Sequence, residues 1–187
     1  MADNKAIYDK NTLEFVTVAL EFCVLMEAAS GHTPHDFTDK AVKILPLLYL
    51  KAALLPETGE PEDGNDAGHF ITENTYEAIR CRTAALLGEY DTFLDTFHPD
   101  MNYSDTPVAS TISENLADVY QDLGDFAALF RRENEEVMEQ ALHACRENFR
   151  MYWGQKLLKA LQALHAVRFG EEPLPDGDRL LTEKYAE

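Results

Sequence analysis

Between Leu13 and Met26 only three residues are polar, Glu14, Thr17 and Glu21, and they are spaced i, i+3, i+7. In a helix that spacing gathers all three on one face and leaves the rest of the circumference apolar. Such a helix pairs its own backbone groups but must still bury most of its side-chain surface. A bundle in which other helices surround it is the natural solution. An all-α protein with a central helix over residues 11–29 is therefore expected. Asn11-Thr12-Leu13-Glu14 reads as its capping box, with Asn11 as cap and Glu14 at N3.

Local signals divide the rest of the chain. Ser30-Gly31-His32 ends the first helix, and Thr33-Pro34 starts a second with Thr as cap and Pro at the first helical position. This second helix covers about residues 34–55. Pro46 within it cannot donate to the carbonyl four residues back, so a kink or break is expected near 42–46. Residues 56–69, PETGEPEDGNDAGH, read as an acidic surface loop. A third helix is expected from Thr72 or Asn74 to Gly88, and a short one over 90–97, stopped by His98-Pro99. Thr111-x-x-Glu114 is a second capping box. The helix it opens buries Leu116, Val119, Leu123 and Phe126, and turns Glu114, Asp118, Asp122 and Asp125 the other way. Asn134 caps a long C-terminal helix over 134–168, in which Gly154 permits a close helix crossing. Residues 170–187 form a tail, with room for a short helical turn at 178–185.

No alternating stretch carries hairpin chemistry, and no internal repeat is present. At 187 residues the chain is long enough for one core. The expectation is a single helical domain over 1–187. It is a bundle of five to six helices with a proline-broken second helix and a long C-terminal helix.

Charge narrows the partners. The formal net charge is −18, and residues 57–105 hold twelve acids against Arg80 and Arg82. Such a field repels phosphate backbones and anionic lipid, so neither nucleic acid nor membrane is expected as a partner. A protein or peptide of basic character fits better. The N-terminal residues lack the apolar core of a secretory signal, which points to the cytoplasm. Cys23, Cys81 and Cys145 are odd in number and far apart, and read as buried apolar residues in a reducing compartment.

Catalytic motifs are missing. The chain has no Walker loop, GxGxxG, GxSxG or HExxH, and its long helices lack the paired Glu-x-x-His of di-iron bundles. Two groups of residues remain as candidate sites. Glu114, Asp118 and Asp122 follow one another at i, i+4, i+8 on one helix face, and His143 lies four residues after Glu139. Hard divalent cations take carboxylate oxygens, so these four are the metal-ligand candidates. The second group is aromatic and polar: Tyr120 and Asp122, with Tyr152, Trp153 and Gln155. It suits either internal hydrogen bonding or a small-ligand pocket. His32 with His35-Asp36 is a fragment of a metal-phosphohydrolase pattern without its remaining ligands, and His165 reads as a core histidine.

At ILPLLYLKAALLP (44–56), YQDLGDF (120–126) and YWGQKLLKALQALH (152–165) the chain resembles a bacterial, Bacteroidetes-type family of uncharacterised helical proteins catalogued as a domain of unknown function. The resemblance covers residues 11–169 and implies an all-α fold in a bacterial cytoplasm. It implies no activity, cofactor or catalytic residue. The expected function is a non-catalytic helical binding or interaction module without a cofactor. The alternative is a divalent-metal-dependent hydrolase of a phosphorylated small molecule, its water activated by the carboxylate-held cation.

Overall fold

A computed structural model describes residues 5–59, 68–96, 107–171 and 174. Its helices are α1 (Lys10–Glu27), α2 (Pro34–Ala53), α3 (Glu73–Leu87), α4 (Ile112–Phe130), α5 (Glu135–Asn148) and α6 (Gly154–Phe169). A π-helical turn, Phe149–Trp153, joins α5 to α6 without a break, so the two form one long C-terminal helix. Two short strands, β1 (Thr92–Asp95) and β2 (Val108–Thr111), pair antiparallel, with Thr92 opposite Thr111 and Asp95 opposite Val108. The strands correct the helix expected over 90–97. A single 3-10 turn, Gly88–Asp91, precedes β1.

Short-range capping chemistry sets most helix starts. Thr33, Thr72, Thr111 and Asn134 accept side-chain hydrogen bonds from the backbone N–H of Asp36, Thr75, Glu114 and Val137. The first helix departs from expectation. Its cap is Asp9, which accepts from the N–H of Asn11 at 2.8 Å, and Thr12 is buried with its hydroxyl donating to the carbonyl of Ala6. At α4 a second acceptor reinforces the cap. Buried Asp91 takes both the N–H and the hydroxyl of Ser113 at 2.7 Å, which fastens the turn before β1 to the helix after β2.

The second helix runs through Pro46 uninterrupted, which corrects the expected break. Its buried stripe is Ala41, Leu45, Leu48 and Ala52, whereas Pro46 lies on the exposed side. There the carbonyl that proline cannot serve lies on the side of the helix open to water, so the loss costs less than in a core.

The central helix is α4 rather than α1. It packs against α1, α3, α5 and α6. Twelve of its residues are buried, among them Ile112, Leu116, Val119, Leu123 and Phe126. The most apolar helix in the sequence instead has an outer face: Leu13, Leu20 and Val24 are 49%, 47% and 57% exposed. The buried side of α1 is Phe15, Ala19, Phe22 and Met26. Phe15 meets Phe126 of α4 at 5.4 Å between ring centres and Trp153 at 6.4 Å, and Trp153 meets Phe149 at 4.8 Å. Each such buried aromatic contributes about 1.5–3 kcal/mol.

The π turn has a geometric purpose. Cys145 and Leu157 are both buried. In an unbroken α-helix they would stand about 120° apart around the axis. One additional residue in the turn removes about 100° of that. The buried stripe of α5 therefore continues into α6. Inside the turn the Trp153 indole N–H donates to the carbonyl of Cys145 at 3.0 Å. Gly154 belongs to this device rather than to a helix crossing: a Cβ there would lie 2.5 Å from the Phe149 carbonyl oxygen.

Leu174 is buried, its N–H donating to the carbonyl of Val167. The rest of the tail beyond Glu171, with the helical turn expected at 178–185, lies outside the described residues, as do residues 60–67 of the acidic segment. Among the described residues no helix is long and apolar enough to cross a membrane. Cys23 and Cys145 are buried as expected, but Cys81 is exposed. His165 is exposed too, its ring 5.0 Å from that of Phe169.

Candidate functional site

Two features flank α4, a polar seam on one side and an apolar groove on the other. Asp118, Asp122 and Asp125 stand at i, i+4, i+7 and form the seam. Asp118 and Asp125 are buried, although the sequence pattern turns them away from the apolar side of α4. A buried carboxylate requires partners. For Asp118, the Tyr76 hydroxyl donates to Oδ1 at 2.9 Å, Lys156 Nζ sits 2.7 Å from Oδ2, and the Tyr152 phenol lies alongside. The same Lys156 lies over the Tyr152 ring at 5.3 Å. Burial, with Asp118 alongside, pushes the phenols of Tyr76 and Tyr152 up. Asp125 accepts from the N–H groups of Phe70 and Ile71 at 2.6 and 2.7 Å and pairs with His69 at 2.8 Å, which pins the segment before α3 onto α4. Asp122, between them and half-buried, is held by the Asn148 amide at 2.6 Å. Burial pushes its carboxyl up to about 6. A cleft of 310 Å³ opens here, with His69, Asp122, Asn148 and Cys145 in its wall.

The groove lies between α1 and α4 and encloses 470 Å³. Val16, Leu20, Cys23 and Val24 line one wall, and Ile71 and Ala127 are opposite. Gly124 is part of the lining, where a Cβ would lie 2.7 Å from Ile71 Cδ1. Its polar ends are Glu27, which accepts the Tyr120 hydroxyl at 2.9 Å, and Arg131. Burial pushes the Cys23 thiol up to about 12, so it is a neutral, apolar part of the wall.

The expected ligand group is dispersed. Asp122 and Tyr152 share the seam, Tyr120 turns to Glu27 at the groove, Trp153 is sealed in the core, and Gln155 is exposed. The expected metal ligands do not assemble either. Asp118 is taken by Tyr76 and Lys156, Asp122 by Asn148, and His143 faces Thr58 at 2.9 Å, while Glu114 is exposed. Among the described residues no group of three or more His, Cys, Asp or Glu is placed to hold a metal ion. His32 pairs with Asp36 at 2.6 Å beside Lys40, an ion-pair cluster at the start of α2. Sequence reasoning missed Lys156, Asn148 and His69 because their partners are distant in the chain. The one local signal was the i, i+4, i+7 spacing of the three aspartates.

The family model described as a domain of unknown function, DUF5063, matches residues 6–170. The chain belongs to this family. A DUF5063 assignment agrees with the resemblance carried by the Leu-rich and aromatic segments. The fold is also similar to the crystal structure of protein BF1032 from Bacteroides fragilis. That chain is 39% identical with a TM-score of 0.78, over 92% of this chain and 99% of that one. No curated protein matches. Membership of DUF5063 brings the helical architecture with it and assigns no activity.

Proposed function

We propose that this domain is a non-catalytic interaction module that receives a segment of another protein in the groove between α1 and α4. The partner segment is an amphipathic helix with an apolar face and basic flanks. The observation that carries this reading is the outer row of α1, where Leu20 and Val24 stand exposed at the lip of an apolar groove. Contiguous apolar surface of this kind marks interaction sites. From Val16 to Glu27 the groove spans about 16 Å, roughly three turns of a helix. The net charge of −18 favours a basic partner and speeds its approach. Three free cysteines support a reducing cytoplasm as the setting.

Fluorescence anisotropy with a labelled amphipathic peptide of Leu and Lys tests the reading, with its Leu and Glu counterpart as control. The Lys peptide binds, more weakly as salt rises, and L20E removes binding while L94E, on the exposed face of β1, does not. Equal binding to L20E and the wild type, or no binding at all, overturns the groove as the docking place.

A further inference from the structure

We infer that the cleft between α4 and α5 binds a small organic cation, an alkylammonium group with a short apolar body, and that Asp122 is its counter-charge. The argument starts from the unequal treatment of three carboxylates on one helix face. Asp118 is ion-paired with Lys156, and Asp125 accepts from two backbone N–H groups and contacts the His69 ring. Asp122 has one neutral donor, Asn148, and among the described residues it makes no ion pair. A half-buried carboxylate without a cation is costly to keep, and folds retain such groups where a ligand supplies the missing charge. The uncompensated position is also where the 310 Å³ cleft opens.

The cleft walls specify the rest of the ligand. Phe126, Leu129, Ala141 and Ala144 offer an apolar floor, and 310 Å³ is the small end of ligand-pocket volumes. An ammonium group donates three hydrogen bonds. Asp122 supplies carboxylate oxygens, and Asn148, whose amide nitrogen is committed to Asp122, retains its carbonyl as an acceptor. A hard divalent cation would want six or more oxygens, and no such set of side chains is gathered here among the described residues. The titratable groups facing Asp122 are Asp118, Asp125, His69, Tyr152 and Cys145, of which the Tyr152 phenol and the buried Cys145 thiol stay neutral. The ammonium can belong to a free amine or to a lysine side chain, and the two sources are separable by probe.

Amide NMR spectra of the full chain are recorded during titration with n-butylammonium, with n-butanol as the neutral isostere, and with a lysine blocked at both backbone ends. Saturable shifts confined to residues 122–126 and 141–148 are expected for butylammonium or the blocked lysine and not for butanol. The tighter of the two cations identifies the source. D122N keeps the shape and removes the charge, and it weakens binding at least about tenfold. A144L fills the cleft and keeps the charge, and it loses binding as well. Absence of saturable shifts with both cations, or wild-type affinity in D122N, overturns the proposal. L20E leaves this binding unchanged, so the groove and the cleft stand or fall separately.

Discussion

Helices α1 and α4 exchange the places that their hydrophobicity assigns them. α1 is nearly all apolar between Leu13 and Met26, yet Leu13, Leu20 and Val24 face outward. α4 carries four acids and is the helix around which the others pack. Apolar content measures how much surface a helix can bury, not how much its neighbours will cover. Centrality follows instead from having partners on every side, and α4 has them even for charge: Lys156 and Tyr76 from two other helices, and the backbone of Phe70 and Ile71. The surplus apolar surface of α1 is the surface that the proposed partner segment would cover.

The contrast can be broken most forcefully at Asp125. D125A strands two part-buried N–H groups and should cost about 2–3 kcal/mol in urea unfolding. A loss under about 1 kcal/mol would mean that α4 does not depend on its charged partners. Next is G154A, whose Cβ collides with the Phe149 carbonyl. A loss of about 2 kcal/mol is expected by the same measurement.

D122N tests the half-buried acid of α4 that makes no ion pair among the described residues, and it moves in the opposite direction. The folded-state pKa of Asp122, about 6, lies above its ordinary value of 3.8. The folded chain therefore holds the proton more tightly than the unfolded chain. This group's contribution is intact below about pH 4 and is lost as pH rises through 6. D122N should raise stability at pH 7–8 by about 1–2 kcal/mol and flatten the decline between pH 4 and 6 in thermal melts. The smallest effect belongs to α1. V24E, on its exposed row, should change stability by no more than about 0.5 kcal/mol. A loss above about 2 kcal/mol would show that the outer face of α1 is already covered.

Much of this architecture could be read from local chemistry. The caps at Thr33, Thr111 and Asn134 depend on groups within three residues, so sequence reveals them. The hairpin depends on a register between residues 92–95 and 108–111, and Tyr90, Phe93, Leu94 and Phe97 fall at near-helical spacing as well, so the two states look alike until the partner strand is known. The burial of Asp118 was illegible for the same reason: its lysine comes from α6. At the candidate sites, the acid spacing on α4 was visible and the groove was not, because it exists only where α1 and α4 leave a gap.

The π turn makes the face of α6 a matter of counting. Met151, within the turn, is 78% exposed and packs against little. Deleting it would let an ordinary α-helix form, at no cost in core side chains. Every residue after it would then turn by about 100°. Lys156 would swing away from Asp118 and Lys159 from Asp95, where each now sits at 2.7 Å, and two buried aspartates would lose their cations together. One surplus residue with almost no contacts of its own thus acts as the phase setting between the two halves of the longest helix.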